Sequence, residues 1–341
     1  MTQPTPLFDG HLDLAYLTGI GRDMHAGLSQ CLGTLLPASV TLPALRAGNV
    51  QGCLGTIFTE PGTHDSPSGL QLGGFGHTYP PGDAEAAHRA GLRQLKLYHA
   101  WRDAGVIDLL PNAGTAPLAV GILMEGADPI SNASEVAWWA SQGVVAIGLA
   151  WATGSRYAGG NTQTHGLTDE GKDMVRAIDE AGLFHDLSHL SDKATDQLLE
   201  LTTGRVFASH SNARSLLGGQ NQRHLRDETI AEIARRGGIV GINLYAPFLD
   251  PTFEKGKKRP PLRKALDHVL HVANVAGKDH VGLGTDMDGG FDANSLPEGI
   301  HKPADLHTVL DLLSEQGWSE REVIGFAYNN WARVLGLPPA P

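Results

Sequence analysis

The chain has 341 residues, 41% of them hydrophobic and 18% charged, with 43 glycines and a formal net charge of -11. This composition excludes an intrinsically disordered chain and supplies apolar material for a large core, while the negative charge argues against nucleic acid or an anionic membrane surface as partner. Small-molecule chemistry is favoured.

In chain order, apolar runs that end in turn or polar residues predict eight strands, at residues 7–13, 52–59, 119–126, 144–150, 183–189, 205–210, 239–245 and 281–286. Helical periodicity falls between them, at 83–104, 134–142, 168–181, 191–201, 227–236, 262–276 and 303–316. Thr168-Asp169-Glu170 and Ser191-Asp192 read as helix starts, and Gly237-Gly238 after Arg236 as a stop. Strand and helix alternate almost throughout, which specifies a parallel sheet. Eight strands favour closure into a (β/α)8 TIM-type barrel over the runner-up, an open doubly wound sheet, and one barrel domain across residues 1–341 is expected. Long irregular stretches at 60–82, 246–261 and 288–303 would rise on the catalytic face as substrate walls or a lid.

The strand ends carry the chemistry. His11 and Asp13, two apart in Asp9-Gly10-His11-Leu12-Asp13, share one face of the first strand and can grip one metal ion. Glu125, His189, His210 and Asp286 follow, each at the end of a later apolar run. A lone strand-end histidine is more often a packed, hydrogen-bonded residue, but six such residues would meet on the face where barrels of this kind do their chemistry. A carboxylate has two oxygens, so Glu125 can bridge an ion on His11 and Asp13 to a second on His189 and His210. Two ions ~3.5–4 Å apart would share a water and supply hydroxide at neutral pH. His185 is expected to pack or to support a ligand, and His88, His99, His268, His271 and His307 to be solvated.

Cys31 and Cys53 lack metal-type spacing, so reduced thiols are expected. The ligand candidates begin at His11, leaving no room for a signal peptide ahead of them, and no apolar stretch is long enough to span a bilayer. A cytoplasmic location without membrane association is expected.

These motifs give the chain its resemblance to the renal (membrane) dipeptidase family, zinc peptidase family M19, within the amidohydrolase superfamily. The resemblance runs through Asp9 to Asp13, Glu125-Gly126, Asp186-Leu187-Ser188-His189, Ser209-His210-Ser211, Gly284-Thr285-Asp286-Met287-Asp288-Gly289 and Asn329-Asn330-Trp331-Ala332-Arg333-Val334. It implies two zinc ions per chain, one held by His11 and Asp13, the other by His189 and His210, with Glu125 between them; other divalent metals would also suit these ligands. It implies that Asp286 contacts the substrate amine and carries the proton. An arginine that grips the substrate carboxylate is implied at Arg223 in Arg223-His224-Leu225-Arg226-Asp227, where His224 stands in place of the family's usual Asn; Arg226 is the fallback. Asp288 is expected to shape the turn. After the fourth strand the family has Leu-Thr-His, whereas this chain reads Leu149-Ala150-Trp151. Trp151 is therefore placed among the substrate-contacting residues, as an N–H donor or as wall, and Tyr245, closing the seventh predicted strand, is counted with them.

The leading expectation is a binuclear zinc dipeptidase acting on a small dipeptide-like substrate. One alternative keeps the metals and changes the substrate to a lactam, modified dipeptide or other amide; another is a metal-binding barrel without turnover. A homodimer is the commonest assembly for such chains and is the expected partner state.

Overall fold

The structure is a computed structural model and describes residues 4–62, 76–111 and 116–340. Part of the predicted long segment at 60–82, residues 63–75, lies outside these. Eight parallel strands form the centre: β1 (Leu7–Leu12), β2 (Val50–Phe58), β3 (Ala119–Glu125), β4 (Val144–Gly148), β5 (Phe184–Asp186), β6 (Arg205–Phe207), β7 (Val240–Ile242) and β8 (Val281–Leu283). Each pairs with its sequence neighbour from β1 to β6, β7 pairs with β8, and β8 returns to β1 through Asp9 opposite Leu283. A parallel bridge between Ala208 and Val240 joins β6 to β7, so the ring of eight closes. The fold is a (β/α)8 barrel.

The later strands are shorter than their apolar runs. Leu187 and Leu244 continue the hydrophobic pattern, but the backbone turns before them, and the active-site residues stand on the turns. His189 and Asp286 have φ of +67° and +59°. This left-handed region is uncommon for residues with a Cβ, although Asp and His tolerate it better than most. The turn also breaks strand parity: Asp186, rather than His185, faces the interior on β5, and the buried His185 bonds Asp179 Oδ1 at 2.7 Å.

The predicted helix starts are capped as expected, with the side chains of Asp83, Thr168 and Ser191 accepting from the N–H groups of Ala86, Gly171 and Ala194. Additional elements include helices at Leu14–Gly19 and Leu42–Ala47, and a short strand, Asp108–Leu109, beside β3. Asp288 does more than shape its turn: it is buried, ion-paired with Arg22, and accepts from the N–H groups of Ser39 and Val40. No helix among the described residues is long and apolar enough to cross a membrane.

Seven side chains contributed at successive strands, Phe8, Leu54, Leu123, Ala146, Phe184, Phe207 and Ile239, fill the barrel interior together with Trp331 from the C-terminal helix Asn330–Leu335. The Trp331 ring lies 5.8 Å from that of Phe8 and 5.4 Å from that of Phe207, and its indole N–H donates to the Leu283 carbonyl at 2.8 Å. A Cβ at Gly10 would overlap this indole, which is why β1 carries glycine one residue before His11. The motif around Trp331 thus seals the interior beneath the site.

Candidate metal centre and active site

The six residues read from strand ends meet at one mouth of the barrel. His11 is the penultimate residue of β1 with only 1% exposure, Asp13 opens the helix after it, and Glu125 is the last residue of β3. His11 Nε2 lies 3.4 Å from Glu125 Oε2 and 3.7 Å from Asp13 Oδ1. The other Glu125 oxygen, Oε1, lies 3.3 Å from His189 Nε2 and 3.5 Å from His210 Nε2. The carboxylate therefore points one oxygen at His11 and the other at His189 and His210, and His11, Glu125 and His210 also place a ligand atom each within 4.8 Å of one another. Asp286 falls in with His11 and Asp13, and these three place a ligand atom each within 4.8 Å of one another.

Whether this donor set fits metal ions can be read from its hydrogen bonds. The Nδ1 atoms of His11 and His210 each face Ser209 Oγ, and Nδ1 of His189 faces Asn161 Oδ1. The acceptor at His189 places a proton on Nδ1 and leaves Nε2 as a lone pair; the same reading holds for His210. His189 Nε2 and His210 Nε2 then face each other at 3.0 Å as two acceptors, and His11 Nε2 is buried without a hydrogen-bond partner. Lone pairs gathered around a carboxylate suit a divalent cation and little else.

The electrostatics agree. Burial pushes His189 down to about 4 and His210 well below its ordinary value, with Arg223 and His11 adding to the effect, so both are neutral donors. Burial opposes charge on His11 as well, but Glu125 and Asp13 outweigh it and hold that imidazole well above its usual range. The positive charge drawn to this point is what a cation would supply. Burial raises Asp286 to about 8; Asp13 and Glu125 add to this, against the opposing pull of His11 and Arg223. Its Oδ2 accepts from Asn243 Nδ2 at 2.9 Å.

A cavity of about 180 Å³ opens over the cluster. Trp151 and Tyr245 both line it. Trp151 packs its ring 5.2 Å from Phe58 and 5.9 Å from His189, and no acceptor among the described residues takes its indole N–H. Tyr245 stacks on Phe291 at 4.4 Å. Arg223 lies a layer behind the lining. It donates to Ser211 Oγ at 2.9 Å and to the His210 carbonyl at 2.8 Å, sits over the Phe248 ring, and keeps a buried Nε–H without a partner. Arg226 is committed to Asp196 at the surface. A larger cavity, about 320 Å³ beside Tyr79 and Arg156, has no ligand-type cluster among its described lining residues; its Asp128 already accepts from the Tyr79 hydroxyl and the Arg156 N–H.

Several wall residues were not legible as such. Tyr16, Phe58, Phe248 and Phe291 reach the cavity, yet only Tyr16, three residues past Asp13 on the next helix, and Phe58, the last residue of β2, carry a local signal. Asn161, the partner of His189, sits in an irregular stretch with no periodicity. The expectation of solvated histidines is corrected: His268 is buried, with burial pushing it down to about 4, and its Nδ1 accepts from the Ala213 N–H, while His88, His99, His271 and His307 are half-buried and bonded to the Pro129 carbonyl, the Gln142 carbonyl, Asp227 and the Gly48 carbonyl.

A parallel barrel that gathers imidazoles and carboxylates at the C-terminal ends of its strands defines a metal-dependent hydrolase. Comparison with known proteins narrows the class. The profile of the membrane dipeptidase family, peptidase family M19, matches residues 1–337, and the chain belongs to that family of peptide-bond hydrolases. An uncharacterized dipeptidase of Schizosaccharomyces pombe is 26% identical over 96% of this chain and 80% of its own length. Dipeptidase tcpJ of Claviceps purpurea is 32% identical over 62% of this chain and 49% of its own length. Among solved structures, a metallopeptidase from Rhodobacter sphaeroides, liganded with a phosphinate mimic of the dipeptide L-Ala-D-Ala, superposes with a TM-score of 0.79 at 24% identity, covering 98% of this chain and 99% of that one. The probable dipeptidase PvdM from Pseudomonas aeruginosa superposes with a TM-score of 0.76 at 18% identity, covering 97% and 95%. At these identities the structural likeness is one of fold. Family membership implies a metal cofactor.

Proposed function

We propose that this chain is a binuclear zinc dipeptidase that hydrolyses the peptide bond of short dipeptides. The observation that carries this reading is the placement of Glu125, whose two oxygens face separate ligand sets, His11 with Asp13 and His189 with His210. Two divalent ions held there would supply a water activated at neutral pH and a polarised scissile carbonyl. The chain's own residues do the rest. Asp286, which stands beside His11 and Asp13, takes a proton from the attacking water as its carboxylate and returns it to the leaving amine. Trp151 and Tyr245 close the walls of a space suited to a substrate of dipeptide size, smaller than the usual drug-sized pocket.

Arg223 is the cation assigned to the substrate carboxylate. Its unpartnered Nε–H supports this, whereas its place behind the cavity lining favours the alternative, a lactam or other amide without a free carboxylate. Matched pairs of free and C-terminally amidated dipeptides separate the two. On the carboxylate reading the amides are poor substrates, and Arg223→Met raises KM by about 10–150-fold, the equivalent of losing a charge-assisted bond of about 1.5–3 kcal/mol. Equal turnover of both forms would remove Arg223 from this role and favour the general amide reading.

A further inference from the structure

We propose that Ser209 is a positioning residue that couples the two metal sites, one hydroxyl holding an imidazole from each in the orientation that turns Nε2 towards its ion. This rests on the binuclear reading above and adds a specific dependence between its halves.

The argument is a count of one hydroxyl's capacity. Ser209 Oγ has one proton and two lone pairs. The proton goes to Asp186 Oδ2 at 2.5 Å; the other Asp186 oxygen accepts from the N–H groups of Ser188 and Ser209, at 3.0 and 2.9 Å. With its hydrogen donated to Asp186, the hydroxyl has only its two lone pairs left to offer the neighbouring rings. They take Nδ1–H of His210 at 2.7 Å and, by a longer contact, Nδ1–H of His11 at 3.3 Å. The remaining polar neighbour, Ser188 Oγ, stands farther off at 3.4 Å. His11 belongs to the set with Asp13, and His210 to the set with His189. A single buried oxygen therefore fixes the tautomer of one ligand at each site.

The barrel makes room for this residue. A Cβ at Gly10, Gly241 or Gly284 would overlap the Ser209 carbonyl, so three neighbouring positions are free of side chains where β6 ends. The third imidazole is oriented independently: His189 Nδ1 bonds Asn161 Oδ1 at 3.0 Å, in the loop after β4. Orienting partners of metal-bound histidines are commonly worth about 10–100-fold in metal affinity. Loss of Ser209 should therefore weaken two ions, and loss of Asn161 only one.

The test is zinc titration of metal-stripped full-length protein, with both dissociation constants followed by calorimetry and by a competing chelator. Ser209→Ala is expected to raise both constants by about 10–100-fold, alongside a lower metal-free melting temperature because Asp186 Oδ2 loses its donor. Asn161→Ala should raise one constant only, and Ser209→Thr, which keeps the hydroxyl, should restore tight binding at both sites. If Ser209→Ala does not fold, Ser209→Cys replaces it, because a thiol is a weak acceptor of similar shape and the same double loss is expected. Ser209→Ala weakening one ion or none would overturn the coupling while leaving two zinc ions per chain in the parent. A parent that binds a single zinc would instead overturn the binuclear reading and the coupling with it.

Discussion

Asp286→Asn is expected to lower kcat for dipeptide hydrolysis by about 10²–10⁴, the usual contribution of a positioned acid–base group, while both metal ions stay bound. Asn is nearly isosteric with Asp and tolerates the left-handed backbone at this position, where φ is +59°. The Asn243 side chain that now donates to Asp286 Oδ2 can still find the amide oxygen. What the variant loses is the ability to accept and return a proton. Single-turnover rates measured together with metal content decide the matter. If activity falls because an ion is lost, Asp286 is a ligand in the cluster it shares with His11 and Asp13 rather than the proton carrier.

Trp331→Ala is expected to cost about 3–5 kcal/mol of stability, the range for removing a fully buried large aromatic. Trp331 is 0% exposed, contacts rings from β1 and β6, and caps the Leu283 carbonyl through its indole N–H, so the variant leaves both a cavity and an acceptor without its donor. Trp138→Ala is the control: this side chain is 44% exposed, and a surface change of this type stays within about 0.5 kcal/mol. Equilibrium urea unfolding of the three proteins measures the difference. Equal midpoints for the parent and Trp331→Ala would mean that the C-terminal helix does not seal the barrel.

The metal centre was legible because a barrel places its chemistry at strand ends, and an apolar run that stops on His, Asp or Glu is visible without coordinates. His11, Asp13, Glu125, His189, His210 and Asp286 all fall at such stops, and the fold brings them together. Strand boundaries were less legible, since Leu187 and Leu244 prolong the apolar pattern beyond the point where the backbone turns. His185 packs as expected, buried and bonded to Asp179, while the position that reaches Ser209 belongs to Asp186. The wall residues Phe248 and Phe291, the partner Asn161 and the seal at Trp331 act through contacts between distant parts of the chain. Such contacts leave no local period to read, and a buried histidine such as His268 looks, in sequence, like any polar residue of an amphipathic helix.

The central claim is that Glu125 stands between two ions that together drive hydrolysis. The most direct measurement is elemental analysis of zinc-supplemented protein and its Glu125→Gln variant, taken with the hydrolysis rate of a panel of L,L and L,D dipeptides. The predicted result is two zinc ions per chain with dipeptide turnover in the parent, and loss of at least one ion together with that turnover in Glu125→Gln. One ion or fewer in the parent, or both ions with full activity in the variant, would contradict it.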